Sequence, residues 1–367
     1  MKHIGRLLVL IALAVSLPRA AAAQQRSTLD IYFVDVEGGQ ATLVVTPAGQ
    51  TLLIDTGFPG QGGFNALPGD PQKARDANRI VTAARAAGVK QIDYLLITHY
   101  HADHVGAVPE LAQLIPVRAF VDHAPPTPQA EQQVAGTQAA FDRYTQVRVK
   151  GTHLLLKPGG EIPLTGVETV IVSAAGETLQ RPLAGAGATN PECGTTAPPA
   201  QEPTENPRST GIHMRFGRFT FLDVGDLSGA PLFALACPKS LIGPTDVYLV
   251  AHHGGSDAGD RATFAAFAPR VAILNNGVTK GGSPEVLAAL HQARGLEDAW
   301  QLHRSLPKGA RYFDDDHIAN LDESTAHWLK VSAKADGSFV VTNGRTGATK
   351  AYGPRSGATR PIARDVP

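Results

Sequence analysis

Short apolar runs rich in β-branched residues, separated by glycine-rich turns, open the chain. Asp30–Val36, Ala41–Thr46 and Thr51–Asp55 read as strands, broken by Glu37-Gly38-Gly39-Gln40 and Pro47-Ala48-Gly49-Gln50. They predict a β-meander ending in Asp55-Thr56-Gly57. The period then changes. Between Ala74 and Ala87, Ile80, Val81, Ala84 and Ala87 share one helical face. Asp70-Pro71 supplies an N-cap with proline at N1, and Gly88 ends the helix. An apolar run, Tyr94–Ile97, predicts a buried strand, and a second periodic segment predicts a short helix as far as Ile115. Further strands are expected at Val117–Val121, Asp246–Ala251 and Pro269–Leu274, with a hairpin folded at Gly217-Arg218 and a terminal one at Asp336-Gly337. Pro284 opens a helix to Ala293, and Gly185–Arg208, rich in Gly, Ala, Pro and Thr, reads as a long surface loop.

Composition adds a compartment. Over 367 residues, 43% are hydrophobic and 18% charged, enough for a substantial core. The first residues carry Lys2 and Arg6, an apolar stretch Leu7–Leu17 and Ala21-Ala22-Ala23 before Gln24, the pattern of a cleaved signal peptide over residues 1–23. The apolar stretch is short for a membrane span. Removing Lys2, Arg6 and Arg19 leaves 30 basic against 33 acidic residues, a net charge of −3. The mature protein is thus expected to be exported, periplasmic or extracellular, without a membrane span or a stable nucleic-acid complex. Two cysteines, Cys193 and Cys237, are compatible with either a disulfide or two free thiols.

The chemistry concentrates in Thr98-His99-Tyr100-His101-Ala102-Asp103-His104, at the turn from strand to helix. Strand ends of α/β layers expose side chains to a shared crevice. Imidazole and carboxylate together suit zinc, manganese or iron, and the spacing lets His99 and His101 face one ion while Asp103 and His104 reach a second. A second histidine pair, His252-His253, follows an apolar run, and His123 ends another. From the residues alone His123 is either a metal or substrate contact or a surface histidine. Asp314-Asp315-Asp316-His317 reads as a solvated acidic loop.

His99-x-His101-x-Asp103-His104 resembles the signature of the metallo-β-lactamase fold superfamily. The resemblance implies an α/β fold, a four-layer αββα sandwich, spanning residues 24–350 with a tail over 351–367, and one or two metal ions at the sandwich edge. By that likeness His99 and His101, with His123 as a further candidate, hold the first ion. Asp103, His104 and His252 hold the second, and Asp226 bridges them in preference to Asp223. Asp55 orients a ligand histidine, Asp103 orients the attacking water, and His253 supports substrate. The superfamily's usual third histidine is missing from Val170–Gly176. The start Asp35…Gln40, and Asn206…Ser209 before the hairpin, are similar to the hydrolase domain of competence-type (ComEC-type) DNA-uptake proteins and to choline phosphoesterases. Glu37 stands where that subgroup carries glycine, and Gly282-Ser283 where it carries a histidine before the proline. These likenesses imply zinc-assisted hydrolysis, with manganese or iron as alternatives, of a phosphoester such as a phosphodiester. A β-lactam or lactone hydrolase and a non-catalytic binding module are the competing readings. The oligomeric state is left open.

Overall fold

The structure, a computed structural model, describes residues 26–195, 199–200, 202–306 and 309–355. Residues 1–23, expected to form a signal peptide, lie outside them. In chain order, β1 (Leu29–Phe33), β2 (Thr42–Val45), β3 (Thr51–Ile54), β4 (Ile92–Leu96), β5 (Val117–Asp122) and β6 (Thr152–Leu155) build one sheet. A second sheet takes β7 (Glu168–Ala174), β8 (Glu177–Thr178), β9 (Gly211–Phe216), β10 (Phe219–Asp223), β11 (Val247–Leu249), β12 (Val271–Leu274), β13 (Asp298–His303) and β14 (Ile318–Asn320). The chain then returns to the first sheet with β15 (Leu329–Ala333), β16 (Phe339–Asn343) and β17 (Thr349–Tyr352), where β15 pairs with β1. Residues 351 and 352, expected in a tail, are therefore paired in β17.

Alternation within the strands explains the layers. Leu29, Ile31 and Phe33 of β1 face the second sheet's Phe219, Phe221 and Ile273 in the central core. Tyr32 turns the other way. It joins Leu43, Leu53 and Leu95 under a helical layer of α1 (Arg75–Ala86), α2 (Ala102–Val105), α3 (Val108–Leu114), α4 (Pro128–Gln133) and α5 (Thr137–Arg148). Across the molecule, Leu222, Tyr248 and Leu274 pack under α6 (Gly229–Ala236), α7 (Arg261–Phe267) and α8 (Pro284–Gln292). Period-two strands with both faces buried between helices make the four-layer αββα sandwich of the metallo-β-lactamase type.

Local departures from expectation have local causes. Asp70 caps not α1 but a short 3-10 turn, Pro71–Lys73, its Oδ1 accepting from Gln72 N at 3.0 Å. The extended backbone of Ala74 then separates that turn from α1. The loop 185–208 contains two further 3-10 turns, Pro191–Thr195 and Asn206–Arg208. The first is tied to the end of α6 by a Cys193–Cys237 disulfide with Cα atoms 5.7 Å apart. Glu37 has φ +54, which accounts for glycine as the expected residue there. Its carboxylate is held by Arg75 and Arg79.

Candidate metal centre

Three parallel strands in each sheet, β3–β4–β5 and β10–β11–β12, deliver the polar residues. Their carboxyl ends meet because the residues that follow them touch. The turn after β4 is clamped from the meander: Gln40 N donates to Asp103 O at 3.1 Å and Thr56 N to His104 O at 2.7 Å. Opposite, Gly225 (φ +56) lies so near Thr98 that a Cβ would sit 2.8 Å from its Cβ. Only glycine permits that approach. Beneath the site Gln40 Nε2 donates to both oxygens of Asp223, at 3.1 and 3.0 Å, and Asn275 Nδ2 to Gln40 Oε1 at 3.3 Å. Asp223 thus joins the two sheets from below, leaving Asp226 at the centre.

Ligand atoms of Asp103, His104, Asp226 and His253 all lie within 4.8 Å of one another, and all four residues are buried. His104 Nε2 is 3.1 Å from Asp226 Oδ2, 3.4 Å from Asp103 Oδ2 and 3.3 Å from His253 Nε2. His253 Nε2 is 3.2 Å from Asp226 Oδ1 and 3.4 Å from Asp103 Oδ2. Four atoms each about 2.0–2.1 Å from one tetrahedral ion are about 3.3 Å apart. The spacing therefore fits a single ion. Buried Asp226 Oδ1 accepts no hydrogen bond, a costly arrangement without a cation.

A second, wider set adjoins it. His99 Nε2 stands 3.0 Å from His101 Nδ1 and 3.9 Å from Asp226 Oδ2, which is also 3.6 Å from His252 Nε2. Asp226 thereby faces both sets. The family likeness implies His252 with Asp103 and His104 and His253 beside substrate, whereas the geometry puts His253 in the tight group and His252 beside the first pair. The cause is the turn: His252 and His253 both have positive φ, 45° and 55°, so successive side chains diverge. One dipeptide thus reaches both sets.

Carboxylates fix the rings. Asp55 Oδ2 accepts from His104 Nδ1 at 2.7 Å and Asp257 Oδ1 from His252 Nδ1 at 2.7 Å, which turns each Nε2 inward. Burial pushes His99 well below the usual imidazole range and His101 down to about 4, keeping both rings neutral. Burial opposes ionisation of Asp226, but His104, His253 and His252 outweigh it and hold the carboxyl well below the ordinary range. Burial likewise opposes a charged Asp103, and Lys280 and His104 overcome it.

Other expected residues lie around this centre. Asn206 Nδ2 is 3.3 Å from His252 Nε2. Ser209 is fully buried, and its carbonyl accepts from Ser173 Oγ. His123 is turned away: its Nε2 is 3.4 Å from Glu205 Oε2 and its Nδ1 bonds Ala124 O at 2.6 Å. Burial lowers it to about 3 and raises Glu205 to about 7. Asp314, Asp315 and Asp316 are exposed, as expected of a solvated loop. Sequence reasoning missed Asp257 and Lys280. Asp257, five residues after His252, was detectable as a nearby carboxylate; Lys280, alone in a glycine-rich turn, carried no signal.

Residues 34–184 match the family model of the metallo-beta-lactamase superfamily, a stretch that includes His99, His101, Asp103 and His104 but ends before Asp226. No curated protein sequence matches. Among solved structures, YhfI of Bacillus subtilis, a metallo-beta-lactamase fold protein, is 10% identical over 75% of this chain and 96% of its own, with a TM-score of 0.44. A metallo-beta-lactamase of Cronobacter sakazakii with a HARLDQ motif is 17% identical over 54% of this chain, with a TM-score of 0.31. CmlA, a diiron beta-hydroxylase from Streptomyces venezuelae, is 15% identical over 76% of this chain, with a TM-score of 0.41. This chain spans 60% of the Cronobacter protein and 53% of CmlA.

Proposed function

We propose that this protein is an exported metal-dependent hydrolase of phosphoesters, most naturally phosphodiesters, with one or two zinc ions. The observation that carries the metal is the buried group Asp103, His104, Asp226 and His253, whose ligand atoms lie within 4.8 Å of one another. In this reading those four residues hold one ion. His99, His101 and His252 hold the other, with Asp226 between them. His252 then takes the place of the histidine missing from residues 170–176. A bound ion supplies an activated water and polarises the electrophile. The chain's own part is to fix geometry: Asp55 and Asp257 orient His104 and His252, and Asp103 orients the attacking water. Burial of the ligands limits competing solvent.

The phosphoester is supported by the likeness of Asp35…Gln40 and Asn206…Ser209 to competence-type and choline-phosphoesterase sequences. Of these, Asn206 lies at the site, its Nδ2 3.3 Å from His252 Nε2. The disulfide supports an oxidising compartment, and among the described residues no helix is long and apolar enough to cross a membrane. The test is hydrolysis of bis(p-nitrophenyl) phosphate by the mature protein with zinc or manganese, against Asp226→Ala. Metal-dependent turnover lost in the variant is the expected result. A metal-loaded protein that leaves this diester intact but opens a chromogenic cephalosporin or a lactone would refute the phosphoester reading.

A further inference from the structure

Lys280 sits in the turn after β12, and its ammonium pairs with Asp103 Oδ2. That oxygen is the same one that faces His104 and His253 in the four-residue group. The lysine and an ion therefore contend for one acceptor. The turn is built against the ligand loop. Gly277 N donates to Lys280 O at 2.9 Å, and Gly282 N to His253 O at 3.0 Å. Gly281 and Gly282 have φ +73 and +58, and a Cβ on them would lie 2.2 Å from His253 O and 2.0 Å from Ser305 Oγ. The backbone of Lys280 is thus held in register with His253, while its side chain stays 26% exposed at the mouth of the site. Above it, the ammonium lies 5.3 Å from the ring centroid of Phe64, itself 58% exposed.

We infer that Lys280 is the substrate's anion-binding residue: an ion takes Asp103, and the freed ammonium receives a negatively charged oxygen of the substrate while Phe64 covers its apolar part. Charge supports this direction. An ion that takes Asp103 removes the carboxylate partner of Lys280, and an unpaired ammonium in a partly desolvated mouth favours an anion. A side-chain cation on a four-carbon stem can swing between the two acceptors without moving the backbone. The inference deepens the proposed hydrolase and rests on it only for the word substrate.

Inorganic phosphate is the probe, titrated calorimetrically into the zinc-loaded mature protein, with zinc affinity measured separately by chelator competition. Lys280→Met is expected to weaken phosphate binding about ten- to hundredfold, the range for losing a charge-assisted hydrogen bond. Zinc should bind it as tightly as wild type or more so, since the competitor for Asp103 is gone. Lys280→Arg should retain most phosphate binding, which separates loss of charge from loss of fold. Phosphate binding unchanged in Lys280→Met, or zinc bound tenfold more weakly, overturns the inference. Neither titration needs turnover. A wild-type protein that binds phosphate through Lys280 but hydrolyses nothing would sink the proposed function alone.

Discussion

Replacing Asp55 by asparagine tests the carboxylate that orients His104. Asp55 is fully buried and accepts three hydrogen bonds, from Thr98 N at 2.8 Å, Thr98 Oγ1 at 2.6 Å and His104 Nδ1 at 2.7 Å. Asparagine is nearly isosteric and tolerates the positive φ of 59° at this position. Thr98 N can only donate, so the amide oxygen must stay opposite it. The NH2 then replaces Oδ2 and points at His104 Nδ1. To accept from it, the ring must move its proton to Nε2, the atom aimed at Asp103, Asp226 and His253. That removes the lone pair a metal needs. Loss of such an orienting partner weakens metal binding about 10- to 100-fold, or about 1.4–2.7 kcal/mol. Zinc dissociation constants from chelator competition read this directly. Asp55→Ala adds a backbone cost of about 1–2 kcal/mol at positive φ, visible as a lower melting temperature without metal. A folded Asp55→Asn protein that binds zinc within about twofold of wild type would refute the orientation argument.

Two further outcomes follow from residues outside the ligand set. Reducing Cys193–Cys237, or changing both to alanine, opens a loop of sequence separation 44, which the chain-entropy relation values at about 4 kcal/mol. A domain of this size should then melt about 6 °C lower, and an unchanged melt by calorimetry would contradict it. Asp223 is pushed up to about 7 by burial, so between about pH 4 and 7 the folded carboxyl keeps a proton that the unfolded one has lost. Its contribution to stability is therefore full below pH 4 and falls as pH rises to 7, by about 4 kcal/mol at most. Asp223→Asn should flatten that slope in urea titrations at fixed metal loading, and a slope equal to wild type would exclude Asp223 as its source.

Much of this architecture was legible because its signals are local. The meander, the α1 segment and the hairpin β9–β10 follow from period-two and helical patterns with glycine punctuation. His99, His101, Asp103 and His104 lie within six positions, so one short motif announces them. What escaped depends on directions rather than spacing. The adjacent His252 and His253 cannot be apportioned from sequence, because their divergence comes from two left-handed residues in succession. His123 ends a strand like the others, yet its Nδ1 bonds Ala124 O at 2.6 Å and its Nε2 lies 3.4 Å from Glu205, 82 positions later. Lys280 meets Asp103 only because the turns after β12 and β4, strands of different sheets, converge.

The pairing of β1 with β15 sets a condition on assembly. Leu29 lies opposite Ala333, and Phe33 opposite Leu329, so the first sheet has an open edge until nearly the whole chain is available. Contacts of such long sequence separation slow folding, and an unpaired apolar edge strand invites association with other chains. The β-meander can form early, but the place beside β1 is filled only when β15 arrives. A chain built this way gains from being kept unfolded until synthesis is complete, and truncation anywhere before β15 should expose β1 and yield aggregates rather than a smaller stable domain.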